Sequence, residues 1–273
     1  MVKNSSVSVG SITEDSWEVP AYEIHEFHPR LRRYCICIPV INEGSRISSQ
    51  LERMAKLDLP ADLIIGDGGS TDGSMNLEAL RRLKVRTLLV KKGPGKLSAQ
   101  LRMLFGYSIL QGYEGIVTLD GNGKDGVEAI PTFLKALEEG YDFVQGSRFL
   151  PGGAEHNTPL ERKLGSMLIH APTISLAARF RYTDTTNGFR AFSTRFLLDP
   201  VVQPFRSVFD TYNLHYYLSI KAPRLGYRVK ELPVIRTYPV SGPVPSKISG
   251  ISGKLEIIKL LLLSAIGHYD PPR

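Results

Sequence analysis

The sequence predicts an α/β fold with a mostly parallel, doubly wound sheet flanked by helices. Three observations point to it. Apolar runs alternate with amphipathic stretches from residue 34 to residue 147. Most of these runs are almost continuously apolar, as in strands buried on both faces. Polar residues gather just after several of them, at the strand ends where open α/β sheets hold ligands.

The elements follow in order. YCICIPV (34–40) is a strand closed by Pro39 and a turn. Residues 44–58 place Ile47, Leu51, Met54, Ala55 and Leu57 close to helical spacing. ADLIIGD (61–67) is a second strand, ended by a Gly/Ser/Asp turn, and residues 72–83 are helical. A strand at 85–90, a helix at 96–112, a strand at 115–120, a helix at 126–139 and a strand at 141–147 complete the alternation. Beyond it come a helix at 160–181, a turn-rich loop at 183–190 and a helix at 207–221 carrying His215, Tyr216 and Tyr217. A strand at 227–235 and a Pro/Gly/Ser loop at 240–250 follow. Three regions are expected: a polar, loosely docked extension over 1–33, the main domain over 34–240, and a loop plus C-terminal amphipathic helix over 241–273.

Composition narrows the function. The 273 residues are 42% hydrophobic and 22% charged, ordinary for a globular chain with a full core. The net charge of +7 suits an anionic partner such as a nucleotide, a phosphate or a membrane surface. No Lys/Arg block or nucleic-acid signature is present, so nucleic acid is not an expected partner. Cys35 and Cys37 share one strand face, which favours packing over a disulfide and fits a reducing, cytoplasmic setting. The N-terminus lacks the apolar core of a signal peptide. Leu255–Gly267 is too short to span a bilayer and is interrupted by Lys259, so it reads as a core helix or an interfacial one.

The chemistry lies at the strand ends. Asn42-Glu43 follows the first strand, Asp67-Gly68-Gly69-Ser70-Thr71-Asp72 the second, Asp120-Gly121-Asn122 the fourth and Arg148 the fifth. Two oxygen side chains at Asp120 and Asn122 are able to share a divalent cation with a diphosphate; the same residues also make a good polar turn. Gly93-Pro94-Gly95-Lys96 is not a P-loop, because Val90 stands where the upstream glycine is required. Lys96 remains a helix-start lysine, facing either phosphate or solvent.

PVINE (39–43), DGGSTDGS (67–74), TLDGN (118–122), GSRFLPGG (146–153) and TNGFRAF (186–192) occur in one order. In that order they resemble family 2 glycosyltransferases, above all dolichol-phosphate mannose synthases and other polyprenyl-phosphate glycosyltransferases. The resemblance runs from about Arg33 to Leu263 and implies a GT-A fold. It implies inverting transfer of a sugar from GDP-mannose or a UDP-hexose to a polyprenyl or dolichyl phosphate, at the cytoplasmic face of a membrane. Pro39, Ile41 and Glu43 match the first donor loop, Ile65 and Asp67 the nucleoside site, and Gly121 the donor turn; Asp67 also reads as a turn cap. Asp120 and Asn122 match the motif that binds Mg2+ or Mn2+. Arg148 matches a phosphate-contacting arginine, and with Asp120 and Asn122 makes up the catalytic set. Arg162 and Ser166 match residues around the acceptor phosphate. Arg236 and Lys247 resemble a basic pair in a loop that closes over the donor.

The sequence departs from this family at two positions. Asn122 replaces a carboxylate, and Lys124 stands where the family often has Gln or Ser. Lys124 would neutralise diphosphate directly and Asp125 would compensate, so metal dependence is expected to be weakened. Three alternatives stay open: a soluble hydroxyl acceptor, which would need a carboxylate base such as Asp184 or Asp210, a nucleotide-sugar binding protein with weakened catalysis, and a nucleotidyltransferase on a similar α/β sheet, against which the GSR and NGFR motifs argue.

Overall fold

The structure is a computed structural model that describes residues 16–240 and 250–272. Its strands are β1 (Tyr22–Glu26), β2 (Tyr34–Val40), β3 (Ala61–Asp67), β4 (Val85–Lys91) and β5 (Gly115–Thr118). They continue as β6 (Phe143–Ser147), β7 (Ala154–His156), β8 (Arg190–Ser193), β9 (Val229–Pro233) and β10 (Ile235–Thr237). Eight of them form one sheet in the order β1-β4-β3-β2-β5-β8-β6-β9, and β7 and β10 form a small second sheet. The central strands β4, β3, β2 and β5 are parallel, as predicted.

Period-two alternation splits the core in two. Cys35, Cys37, Ile64, Leu89 and Ile116 point to one face. Ile36, Ile38, Val40, Leu63, Ile65, Leu88 and Val117 point to the other. The second face is covered by α1 (Ser45–Ala55), α2 (Leu77–Arg82) and α4 (Ile130–Glu138). The first is covered by α3 (Leu97–Leu110), which is buried almost all round because it lies between the sheet and the later helices. Gly66 lets α3 come this close: a Cβ there would sit 2.8 Å from Leu104. The Cys35 and Cys37 sulfurs are 3.9 Å apart beside the Ser108 hydroxyl, packed and unbonded.

Helices α5 (Leu160–Leu164) and α6 (Ala171–Ala178) are joined by a π-helical segment, Gly165–His170, into one run. The short α7 (Thr194–Leu197) leads to α8 (Asn213–Arg224), and α9 (Gly250–Ala265) closes the chain, packing on α6 and α8 rather than on the sheet.

The structure differs from the sequence reading in several places; the helix expected from 72 begins only at Leu77 and the one expected from 207 only at Asn213, each after a run of turns. The extension is not loose from residue 16 onward. β1 pairs antiparallel with β4, Ile24 opposite Leu89, and the Trp17 ring stacks on Phe205 at 4.1 Å. YEIHE alternates as an edge strand should, and the Ser-rich start before it masked that pattern. β8 was not foreseen: four residues are too few for periodicity to register, yet it bridges β5 and β6 in antiparallel register. The predicted strand at 227–235 ends at Pro233, and β10 turns away to pair with β7. The helix predicted from 126 begins as a 3-10 turn at Val127–Ala129, with Pro131 in the first turn of α4.

Trp17 is the chain's single tryptophan, so its fluorescence reports the docking of this segment. Its urea transition is expected to coincide with the loss of far-ultraviolet helix signal. A separate, earlier fluorescence transition would show that the segment melts on its own.

Candidate active site

Loops at the carboxyl ends of β2, β3 and β5 are laced together by side chains. Asn42 stands at a φ of 49°, and its amide N–H donates to Ser70 Oγ at 2.9 Å. Thr71 N–H donates to Asn42 Oδ1 at 2.8 Å, and Gly44 N–H to Asp72 Oδ2 at 2.8 Å. Glu43 is buried and accepts from Arg46. Ile41 lies exposed at the rim. Asp67 caps its own turn: its carboxylate accepts from the Ser70 amide at 3.0 Å and the Ser70 hydroxyl at 2.6 Å. Ile65 does not reach the site. It is fully buried in the core between Ile38 and Leu88, two residues before the strand ends.

The turn after β5 holds the charge. Gly121 is required there, since a Cβ would lie 2.8 Å from Val40 and 3.3 Å from the Pro39 carbonyl. Asp120, with a side chain 26% exposed, accepts from Arg236 Nη2 at 2.8 Å through Oδ2. Arg236 Nη1 donates to Asp125 Oδ1 at 2.5 Å. Arg236 is thus buried on β10 and spans two carboxylates, rather than lying on a closing loop as expected. Its expected companion, Lys247, falls outside the described residues. Burial raises the Asp120 carboxyl, but Arg236 and then Lys124 outweigh it and hold the group down to about 2. Burial, and then Arg236, bring the Lys124 amine down to about 8.

The end of β6 holds a second cluster. Arg148 donates through Nε to Asp184 Oδ2 at 2.7 Å and through Nη2 to Asp184 Oδ1 at 3.0 Å. Its Nη2 also donates to Thr186 Oγ1 at 2.7 Å, and Ser166 Oγ lies 3.0 Å from that hydroxyl. Arg148 and Ser166 are therefore together, as the motifs predicted. Arg162 lies four residues before Ser166 on the same helical run, and its charge is felt at Lys124 and Tyr212. Asp184 is fully buried, and Arg148 holds its carboxyl low against the cost of burial, which does not suit a base. Asp210 is built into the start of α3, where its carbonyl accepts from the Lys96 amide at 3.0 Å.

No family model matches the chain. It is 28% identical over 208 residues to an undecaprenyl-phosphate mannosyltransferase of Micrococcus luteus, covering 74% of this chain and 82% of that protein. It is 27% identical over 254 residues to a polyprenol monophosphomannose synthase of Mycolicibacterium smegmatis, covering 89% and 91%. Among solved structures it matches glucosyl-3-phosphoglycerate synthase of Mycobacterium tuberculosis, crystallised with Mn2+, UDP and glucosyl-3-phosphoglycerate. That match has a TM-score of 0.60 at 17% identity, over 88% of this chain and 81% of that one. The chain is a GT-A glycosyltransferase.

The M. tuberculosis synthase is crystallised with Mn2+, so the fit of a cation to this glycosyltransferase can be judged from its donor set. The expected pair, Asp120 and Asn122, does not fit. Asp120 Oδ2 is taken by Arg236, and Oδ1 packs against Gly188, where a Cβ would lie 2.5 Å away. Asn122 directs its NH2 toward Asp120 Oδ2 at 3.3 Å, while its oxygen accepts from the Lys124 amide at 3.3 Å. A backbone N–H only donates, which fixes that amide orientation. Among the described residues no group of three His, Cys, Asp or Glu side chains is placed to hold a metal ion.

Three supporting residues of the glycosyltransferase escaped the sequence reading. Gln100 Nε2 donates to the carbonyls of Val40 and Gly66 at 2.8 and 3.0 Å, tying β2 to β3. Gln50 donates to the Asp120 carbonyl at 3.0 Å and accepts from Gly123 N–H at 2.9 Å, clamping the charged turn. Arg190, fully buried, donates to the carbonyls of Thr185, Asn187 and His215 and so pins the 185–190 loop onto α8. A helical glutamine or an arginine in a short strand carries no distinctive pattern; only its placement shows its task.

Two histidines beside this network set an acid limit. Burial, with Arg190 adding to it, depresses His170 to about 3 and His215 well below its usual value. The unfolded chain takes up these protons near pH 6.5, whereas the folded chain does not. Stability is therefore fully present above 6.5 and is lost as pH falls toward about 3. The slope is up to about 1.4 kcal/mol per pH unit for each histidine. Urea midpoints at neutral pH and at about pH 5 are expected to show this fall, with His170→Gln flattening it. An equal slope in the variant would assign the acid loss to other groups.

Proposed function

We propose that this glycosyltransferase moves a hexose from a nucleoside-diphosphate sugar, GDP-mannose or a UDP-hexose, to a polyprenyl phosphate. The observation that carries the reading is the state of Asp184. Its carboxylate is locked to Arg148 inside a hydroxyl-lined cluster, with Arg162 and Ser166 on the neighbouring helix. That arrangement holds an anion and has no carboxylate free to draw a proton from a hydroxyl. A phosphate acceptor needs no such base, because it is already ionised at neutral pH. The named acceptors of the M. luteus and M. smegmatis relatives are of this kind.

In this reading the acceptor phosphate oxygen attacks the anomeric carbon from the face opposite the leaving group. The bond from that carbon to the diphosphate oxygen breaks, and the nucleoside diphosphate departs with the bonding pair. The loops around Glu43 and Asp67 hold the nucleoside, Arg162 and Ser166 the acceptor phosphate, and the Asp120 turn the diphosphate. The test is formation of an organic-extractable, sugar-labelled lipid from GDP-mannose or a UDP-hexose with polyprenyl phosphate. Arg162→Ala is expected to raise KM for the lipid about tenfold with a small change in kcat, the signature of lost uniform binding. An unchanged KM would remove Arg162 from the acceptor site.

A peripheral membrane contact belongs to the same proposal. No described helix is long and apolar enough to cross a membrane. The run 160–178 and α9 lie side by side, linked by Lys254 to Glu161 at 2.7 Å. They expose Leu160, Leu164, Leu168, Leu255, Leu262 and Ile266 next to the proposed acceptor site, with Lys254 and Lys259 among them to meet anionic head groups. The protein is expected to sediment with phosphatidylglycerol vesicles, and Leu168→Asp with Leu262→Asp to release it. Equal sedimentation of the double variant would remove this face from membrane contact.

A further inference from the structure

The turn after β5 presents three side chains at alternate positions: the carboxylate of Asp120, the amide of Asn122 and the ammonium of Lys124. A hard divalent cation wants several oxygen ligands, preferably anionic. Here there is one carboxylate and one neutral amide, and the third position carries a positive charge. Asp120 Oδ2 accepts from Arg236 and faces the Asn122 amide NH2, and Oδ1 lies close against Gly188.

What surrounds Asp120 instead is a built cationic centre. Lys124 and Arg236 are both buried, at 6% and 5% exposure. Lys124 Nζ lies 4.8 Å from the Tyr238 ring centre, and the Arg236 guanidinium 5.9 Å from the same ring. Backbone bonds hold the two together: Thr237 N–H donates to the Lys124 carbonyl at 2.9 Å, and Gly126 N–H to the Ile235 carbonyl at 2.8 Å. Two cations balanced by Asp120 and Asp125 carry the same charge as one divalent ion between two carboxylates. The centre is also preorganised, so little rearrangement is needed when charge develops on the leaving group.

We propose that this enzyme works without a divalent cation, with Lys124 and Arg236 supplying the positive charge that stabilises the departing diphosphate. The proposal rests on the transferase reading above and concerns only how its leaving group is neutralised. Arg236 holds the Asp120 and Asp125 carboxylates in place through its two terminal nitrogens, and Lys124, beside the Tyr238 ring, belongs to the turn on which the diphosphate would lie.

The test has two arms on the full chain. In the first, turnover is followed as nucleoside diphosphate release with EDTA and with Mn2+. Turnover in EDTA is expected to stay within about twofold of that with Mn2+. Lys124→Ala is expected to lower kcat about 100-fold, in the range for loss of one charge-stabilising group, with Lys124→Arg recovering part of it. In the second arm, GDP and UDP are added to the protein and its melting temperature is read. A rise of equal size in EDTA and in Mn2+ is expected, and its loss in Lys124→Ala. Turnover abolished by EDTA and restored by Mn2+, or a nucleotide-induced rise seen only with Mn2+, would overturn the proposal. If no donor turns over under either condition, the transferase reading fails, and the melting arm still decides whether the cation is needed for the diphosphate.

Discussion

One guanidinium holds the charged end of this molecule together. Arg236 lies between Asp120 and Asp125, buried, with each of its terminal nitrogens on a different carboxylate. Its strand, β10, belongs to the small sheet with β7, whereas Asp120 follows a central strand of the large one. The ion pairs therefore reinforce the backbone bonds that already tie β10 to the segment after β5, from Thr237 N–H to the Lys124 carbonyl and from Gly126 N–H to the Ile235 carbonyl. Removing one partner from a buried pair costs about 3–5 kcal/mol, because the other charge stays behind without compensation. Gln50 and the backbone bonds place the turn, and Arg236 joins its two carboxylates beside Lys124 and Tyr238.

The second cluster obeys the same logic with a different balance. Arg148 pairs with Asp184 through two parallel bonds, and Thr186 and Ser166 complete the surround. Arg190, by contrast, is buried with carbonyl partners and the Ser219 hydroxyl. Burial pulls it down to about 10, and its work is to shape the loop that presents Thr185 and Thr186. Arg148 and Arg190, alike in type and burial, thus divide the labour. One offers a charged surface, and the other builds the wall behind it.

Much of the architecture was legible because burial on both faces writes itself as apolar runs. β2, β3 and β4 lie within one residue of the predicted strands, and the polar turns after them are where they were expected. Arg148 and Ser166 were brought together as the motifs implied. The losses have physical causes. Ile65 was placed in the nucleoside site, but strand alternation turns it into the core. Arg236 was read as part of a mobile basic pair because nothing in a sequence reveals that Pro233 ends one strand and sends the chain into another sheet. Asn122 was read as a ligand, although the hydrogen-bond polarity of its amide is set by a neighbouring backbone N–H. β8 is too short to leave a periodic trace.

The π-helical segment at Gly165–His170 has a consequence for tolerance to change. A wider turn takes up one more residue than an α turn before the helix resumes. Ser166 and His170 face inward across it while Met167, Leu168 and Ile169 face out. Each residue advances an α-helix by about 100°, so uninterrupted α winding of the same number of residues would turn α5 about its axis relative to α6; the wider turn absorbs the extra residue and keeps Arg162 in phase with Ser166. A further inserted residue that no wide turn absorbs would carry Arg162 away from the side of the protein that holds Lys124 and Tyr212, with no atom of its own altered. The segment acts as a phase setting: exchange of its outward apolar side chains leaves the register intact, whereas added length does not.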